Sequence, residues 1–342
     1  MFSISEFVKV NRVYFIWAVF LSMLYLFRSM FGLVFMTFIM CFIFASIGHK
    51  IRRKYHLNRR LIVVSLYTVF LLLEILFICV VPSKLISETI NFTEQLPQSI
   101  YFLKSWIDTH TQGNEILSML VNQFESNISP EKALVKSWSF MLNFINTGVH
   151  YIGWFFLAML FSFLILLDLP TLSLGIRRLR DTKLAETYKE IAGSVVLFSK
   201  VVGENFRAQL IISAINTFLT AAGLYFLGIK AIALLCTIVF ICGLIPVLGM
   251  IISSVPIVLM AVNTGGMSLG LWALLMIVLI HLLEAYVLNP RIVSSVMHIN
   301  PVMTLIILYI AHSFLGLWGM LLGVPIAVYF YRKISVHQEK QE

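Results

Sequence analysis

The chain predicts an all-α, polytopic membrane protein with about eight membrane segments, two of them broken or re-entrant at Pro and Gly. Three observations predict it. First, 60% of the 342 residues are hydrophobic and 12% are charged, with a mean hydropathy of +0.94. A soluble domain is about a quarter charged and has no core large enough to hide this much apolar surface. Second, apolar runs near the length that crosses about 30 Å of hydrocarbon recur along the chain. Third, two of these runs are interrupted: GLIPVLGMIISSVP (Gly243–Pro256) and INPVMTLIILYIAHSFLGLWGMLLGVP (Ile299–Pro325). Helix satisfies its own backbone in lipid, whereas broken helix survives there only when packed in protein or lining a cavity. Two such breaks point to a transport site near the midplane.

In chain order, the expected spans are 13–28, 31–48, 61–81, 149–168, 207–227, 231–262 (broken), 268–288 and 301–331 (broken). Lys9 and Arg12 precede the first run, which has no clear cleavage site and reads as a retained anchor. The first two spans are joined tightly around Arg28 and Ser29, as in a membrane hairpin. Between the second and third lies HKIRRKYHLNRR (His49–Arg60), with six Lys/Arg and no acid. Basic loops stay in the cytoplasm. This places both termini inside, in a bacterial plasma membrane, and residues 82–148 outside.

The resulting division is 1–81, N-terminal membrane segments; 82–148, an extracellular amphipathic helical insert; 149–168, a span; 169–206, a cytoplasmic amphipathic linker; 207–331, the C-terminal transport core; and 332–342, a cytoplasmic tail. In the insert, apolar residues such as Ile86, Ile90, Leu103 and Ile107 recur at helical spacing. In the linker, Arg177, Arg178, Arg180, Lys183 and Lys189 alternate with acids, and its basic residues are candidates for contact with anionic lipid. Whether the broken segments cross or re-enter stays open; the placement of Arg291 favours re-entry. The four cysteines lie in apolar runs without zinc spacing and read as small hydrophobes.

Ionisable groups in apolar spans are expensive and are functional candidates. Glu284 leads, with His281 three residues earlier on the same helical face. Such a pair can pass a proton, or can simply brace the bundle. Asn289-Pro290-Arg291 ends that helix: proline frees carbonyls one turn earlier, and Arg291 suits an anionic cargo, a pair with Glu284 or a headgroup. Pro246 and Gly249 break the sixth segment, and Gly316 and Gly319 the last, marking a gate or a close packing contact. His312 precedes the last break; Glu74 sits within LLLEILF of the third span; Arg207 and Gln209 open the fifth span as candidates for an entry path.

Taken in order, ENFRAQL (Glu204–Leu210), GLYFLGIKAIAL (Gly223–Leu234), GLIPVLGMIISSVPIVLMA (Gly243–Ala261) and the stretch from His281 to Val328 resemble the autoinducer-2 exporter family. The shared pattern is a Gln-bearing entry to a span, an Ile-Pro-x-x-Gly break, a Glu followed by an Asn-Pro-Arg step, and a Gly-x-x-Gly final segment. The resemblance implies about eight membrane segments, a homo-oligomer and efflux. It leaves two cargo classes: a small polar organic molecule, or sodium and lithium exchanged for protons.

No phosphate-binding Gly-x-x-x-x-Gly-Lys-Ser/Thr loop, Gly-x-Ser-x-Gly or His-Glu-x-x-His occurs. The expectation is therefore a secondary transporter or exporter rather than an enzyme, with no cofactor, no metal and no nucleic-acid partner. The alternative from another class is a non-transporting membrane scaffold for cell-envelope partners. That reading predicts that deleting 90–140 is more damaging than Glu284→Gln, and transport predicts the reverse.

Overall fold

The computed structural model describes residues 30–110, 153–178, 185–292 and 300–338, and these are helical throughout apart from short turns. The elements are α1 (Phe31–Tyr55), α2 (Arg59–His110), α3 (Gly153–Leu167), α4 (Leu169–Arg178), α5 (Ala185–Phe226), α6 (Ile232–Cys242), α7 (Leu248–Leu283), a π-helical turn (Glu284–Leu288), α8 (Asn289–Ile292) and α9 (Pro301–Gln338). Five helices, α1, α2, α5, α7 and α9, are long and apolar enough to cross a membrane, or six if α3 and the bent α4 form one span. The count of eight is not reached among the described residues. The expected span 13–28 and most of the 82–148 insert lie outside them, and α6, with 11 residues, is about 16 Å long and too short to cross.

The helix ends follow local chemistry. α1 stops at His56, whose left-handed conformation (φ 53°) lets its N–H bond the Arg52 carbonyl at 2.9 Å. Arg52, Arg53 and Lys54 fill its last turn, where the helix dipole favours cations. The Asn58 side chain accepts from the Arg60 N–H to start α2. Asn300 accepts from the Val302 N–H at 2.9 Å to start α9, with Pro301 at the first helical position, where its missing N–H costs nothing. The sequence reading ends the third span at 81, but α2 passes Pro82 and Pro97 and continues to His110. Each proline removes one ladder bond without ending a helix whose neighbours remain paired.

α1, α2 and α3 share a cluster of Leu33, Met40, Phe44, Val63, Tyr67, Ala158 and Leu166, in which the Tyr67 hydroxyl meets Ser162 Oγ at 2.6 Å. In lipid such bundles are held by close packing and interhelical hydrogen bonds rather than by the hydrophobic effect. The other half is built on α5, which packs on α6, α7 and α9.

Here the two long C-terminal helices fold back on themselves. In α7 the turn is at Gly265–Gly266 (Gly266 φ 71°), and a Cβ on Gly270 would run into the Val262 side chain. Residues eight apart in a straight helix are about 12 Å apart, so this contact means antiparallel arms. In α9 the turn is at Gly316 (φ 58°), a conformation that L side chains rarely adopt; Gly323 then meets Ala311 and Ile307. The α6–α7 connection reverses in the same way around Pro246. The sequence left crossing against re-entry open for both broken segments, and the structure gives each a helical hairpin.

The C-terminal part of α2 lies across α6 and the α7 hairpin. Glu88 Oε2 accepts the Leu234 N–H at 2.7 Å, placing a carboxylate at the N-terminus of α6. Seven residues on, Gln95 Oε1 accepts from Asn263 Nδ2 at 2.7 Å, next to the α7 turn.

Candidate functional site

α5 carries a polar stripe through an apolar setting. Gln209, Ser213, Asn216 and Thr220 are spaced by four, three and four residues, so they share one helical face. Ser213, Asn216 and Thr220 are buried. The sequence reading named Gln209 and passed over the other three, although the spacing was there to be read.

The lower part of the stripe holds the Pro246 break. Gln209 Nε2 donates to the Gly243 carbonyl at 2.6 Å, and Ser213 Oγ donates to the Phe240 carbonyl, also at 2.6 Å. Both carbonyls belong to the end of α6, where the ladder stops, and each has been given a donor from α5. The reversal is tight: the Leu248 N–H bonds the Pro246 carbonyl at 2.7 Å across Val247, which sits at φ 64°, ψ −55°. A β-branched residue in this region costs on the order of 1–3 kcal/mol. Gly249 follows, where a Cβ would strike the Cys242 carbonyl. Gln209, expected at an entry path, thus also braces the break. Arg207, its companion in that expectation, donates from Nη1 to Ser46 Oγ on α1 at 3.3 Å.

The upper part of the stripe meets Glu284. Asn216 Nδ2 donates to Glu284 Oε2 at 2.6 Å, and His281 Nδ1 lies 3.0 Å from the same oxygen. The Glu284 and His281 side chains are 20% and 22% exposed, while Asn216 is 5% exposed. Asn216 Oδ1 is buried and has no hydrogen-bond partner among the described residues. An unpaired buried acceptor costs about 1–3 kcal/mol.

Glu284 opens the π-helical turn, whose defining bond runs from the Asn289 N–H to the Glu284 carbonyl. Pro290 follows at once and cannot donate to the ladder. The widened turn accommodates the proline, and it places the carboxylate at the point where helix geometry changes.

The remaining candidates fall elsewhere. Arg291 is exposed on α8 and is not among the partners found for Glu284; the Asn289 side chain is exposed beside it. His312 is exposed on the first arm of α9. Gly316 forms the α9 turn, and Gly319 packs where a Cβ would strike the Ala311 carbonyl. Both Glu74 carboxylate oxygens are buried without a hydrogen-bond partner among the described residues. No group of three or more His, Cys, Asp or Glu able to hold a metal occurs among the described residues. Between the C-terminal part of α2 and the α7 turn lies a cavity of about 550 Å³, lined by Pro97, Gln98, Tyr101, Phe102, Ser105, Val262, Asn263 and Gly266.

Comparison with known proteins places the chain in a family. YdbI of Bacillus subtilis (strain 168), provisionally named a transport protein, is 28% identical over 333 residues, covering 95% of this chain and 91% of that protein. A protein of Halobacillus andaensis named a sodium-lithium/proton antiporter is 22% identical over 294 residues, covering 81% of each. The family model described as AI-2E family transporter matches residues 14–337. With nearly its whole length inside that match, the chain belongs to the AI-2E family of transporters.

Proposed function

We propose that the protein is a secondary transporter that exchanges a monovalent cation, sodium or lithium, for a proton at Glu284. The observation that carries this reading is the pairing of Glu284 with Asn216. With the carboxylate ionised, Asn216 donates through Nδ2, and its buried Oδ1 is an acceptor with no donor among the described residues. A small hard cation suits oxygen ligands, and the Glu284 carboxylate and Asn216 Oδ1 are two such ligands on neighbouring residues. A proton on Glu284 neutralises the carboxylate instead. The two occupancies exclude each other, which is the condition for exchange. His281, 3.0 Å from the same oxygen, is placed to deliver or take the proton. The Halobacillus andaensis relative supports the choice of cation.

The test is flux in proteoliposomes. Pulses of sodium, lithium and potassium are applied to vesicles loaded with a pH-sensitive dye, with wild type beside Glu284→Gln. The expected result is proton movement with sodium or lithium in wild type and none in the variant. No movement with any cation in wild type would overturn the exchange reading.

A second cargo has one observation in its favour. The cavity beside the α7 turn has no charged lining residue and offers amide, hydroxyl and aromatic groups, which suits a small neutral polar organic molecule. We further propose a bacterial plasma-membrane location with both termini cytoplasmic, supported by the basic α1–α2 turn. A homo-oligomer is proposed on the family resemblance.

A further inference from the structure

We propose that α4 is a membrane-surface foot that binds the anionic phospholipid headgroups of the leaflet at the basic end of the protein. Geometry comes first. α4 begins one residue after α3 and turns 69° away from it. Its 10 residues are about 15 Å long, so at that angle it advances only about 5 Å along the α3 axis. The headgroup layer on each face of a bilayer is about 5–8 Å deep. A helix leaving α3 at the hydrocarbon boundary therefore stays inside that layer.

A different contact shows which end of the molecule the bend lies at. Arg59 Nη2 donates to the Leu166 carbonyl at 2.5 Å, joining the end of α3 to the first residue of α2. The segment His49–Arg60, to which Arg59 belongs, carries six Lys/Arg and no acid, so the α3–α4 bend lies at the basic end of the molecule.

The faces of α4 fit an interface. Leu169, Leu172 and Ile176 recur at helical spacing on one side and are 39%, 44% and 56% exposed, and no residue of α4 is buried. Arg177 and Arg178 close its last turn. The apolar stripe enters the acyl boundary. The two arginines, together with the α1–α2 turn, then face phosphates, and Asp168 is the single acid at the bend. An aqueous face would leave this stripe wet, and a completed span would bury the two arginines.

The test uses the full chain in nanodiscs of phosphatidylcholine alone or with one-quarter phosphatidylglycerol. Hydrogen exchange of residues 169–178 and retained phosphatidylglycerol, counted by native mass spectrometry, are measured together. Exchange is expected to be slower in the anionic discs. Arg177→Gln/Arg178→Gln should cut phosphatidylglycerol retention by about fivefold per arginine. Arg177→Lys/Arg178→Lys should restore most of it, and Leu172→Ser/Ile176→Ser should speed exchange in both lipids. Equal exchange in the two disc types would overturn the proposal. So would equal phosphatidylglycerol counts for wild type and the glutamine variant, given unchanged melting midpoints.

Discussion

The Pro246 break and the Glu284 turn are both proline-linked interruptions beside the same face of α5, yet their hydrogen bonding is opposite. At Pro246 the loose carbonyls of α6 each receive a donor, Gly243 from Gln209 and Phe240 from Ser213. At Glu284 a single carboxylate oxygen takes the Asn216 amide and faces His281, while Asn216 Oδ1 is left over. A break in a membrane helix is thus not in itself a binding site. At Pro246 the donors from α5 make the break a brace; at Glu284, on the exchange reading proposed above, the carboxylate and the Asn216 oxygen beside it take a cation or, at the carboxylate, a proton. The polar stripe of α5 serves both ends.

The comparison can be broken most sharply at the carboxylate. Glu284→Gln keeps the shape and removes the charge, so cation-driven proton flux should fall at least about 100-fold, with little change in melting temperature. Loss of flux without loss of fold is the signature of a site rather than a brace. Asn216→Leu removes the leftover oxygen, and should lower cation-dependent flux by about 10-fold or more while sparing the expression level.

The brace should respond the other way. Gln209→Leu leaves the Gly243 carbonyl without its donor, at a cost of about 1–3 kcal/mol, read as a lower melting midpoint in detergent. Residual flux per folded molecule should stay within a few-fold of wild type. Gly319→Ala sharpens the same contrast in α9, because the added methyl meets a backbone carbonyl that cannot rotate away; destabilisation of about 1–3 kcal/mol is expected. Glu88→Gln is the mildest case. It removes a charge but not the hydrogen-bond acceptor at the start of α6, and should cost about 0.3–1 kcal/mol, more at low salt than at high.

Much of this was legible in the sequence. Apolar run length gave α1, α5 and the C-terminal helices, and the Pro and Gly positions marked Pro246 and Gly316 as breaks. Periodicity reports that a segment is helical and not which way the next arm runs, so re-entry at the last segment rested on the charge of Arg291 alone. The gap between the expected spans 231–262 and 268–288 contains Gly265–Gly266, where the structure has the turn of the α7 hairpin. The length of α2 was hidden by Pro82, which reads as a stop when the bonds around it are unknown. Glu284 and His281 stood out because charge is rare in apolar runs. Asn216 did not, being uncharged and 68 residues away, and only the packing of α5 against the π-turn joins them.

The central claim is that a cation and a proton compete for Glu284, and its most direct test is proton release on cation binding by the purified protein. Lithium or sodium is added to weakly buffered, detergent-solubilised wild type, and the released protons are counted with a pH indicator. The account predicts release that saturates with cation, disappears in Glu284→Gln and persists in Gln209→Leu. Release that is unchanged in Glu284→Gln would contradict it.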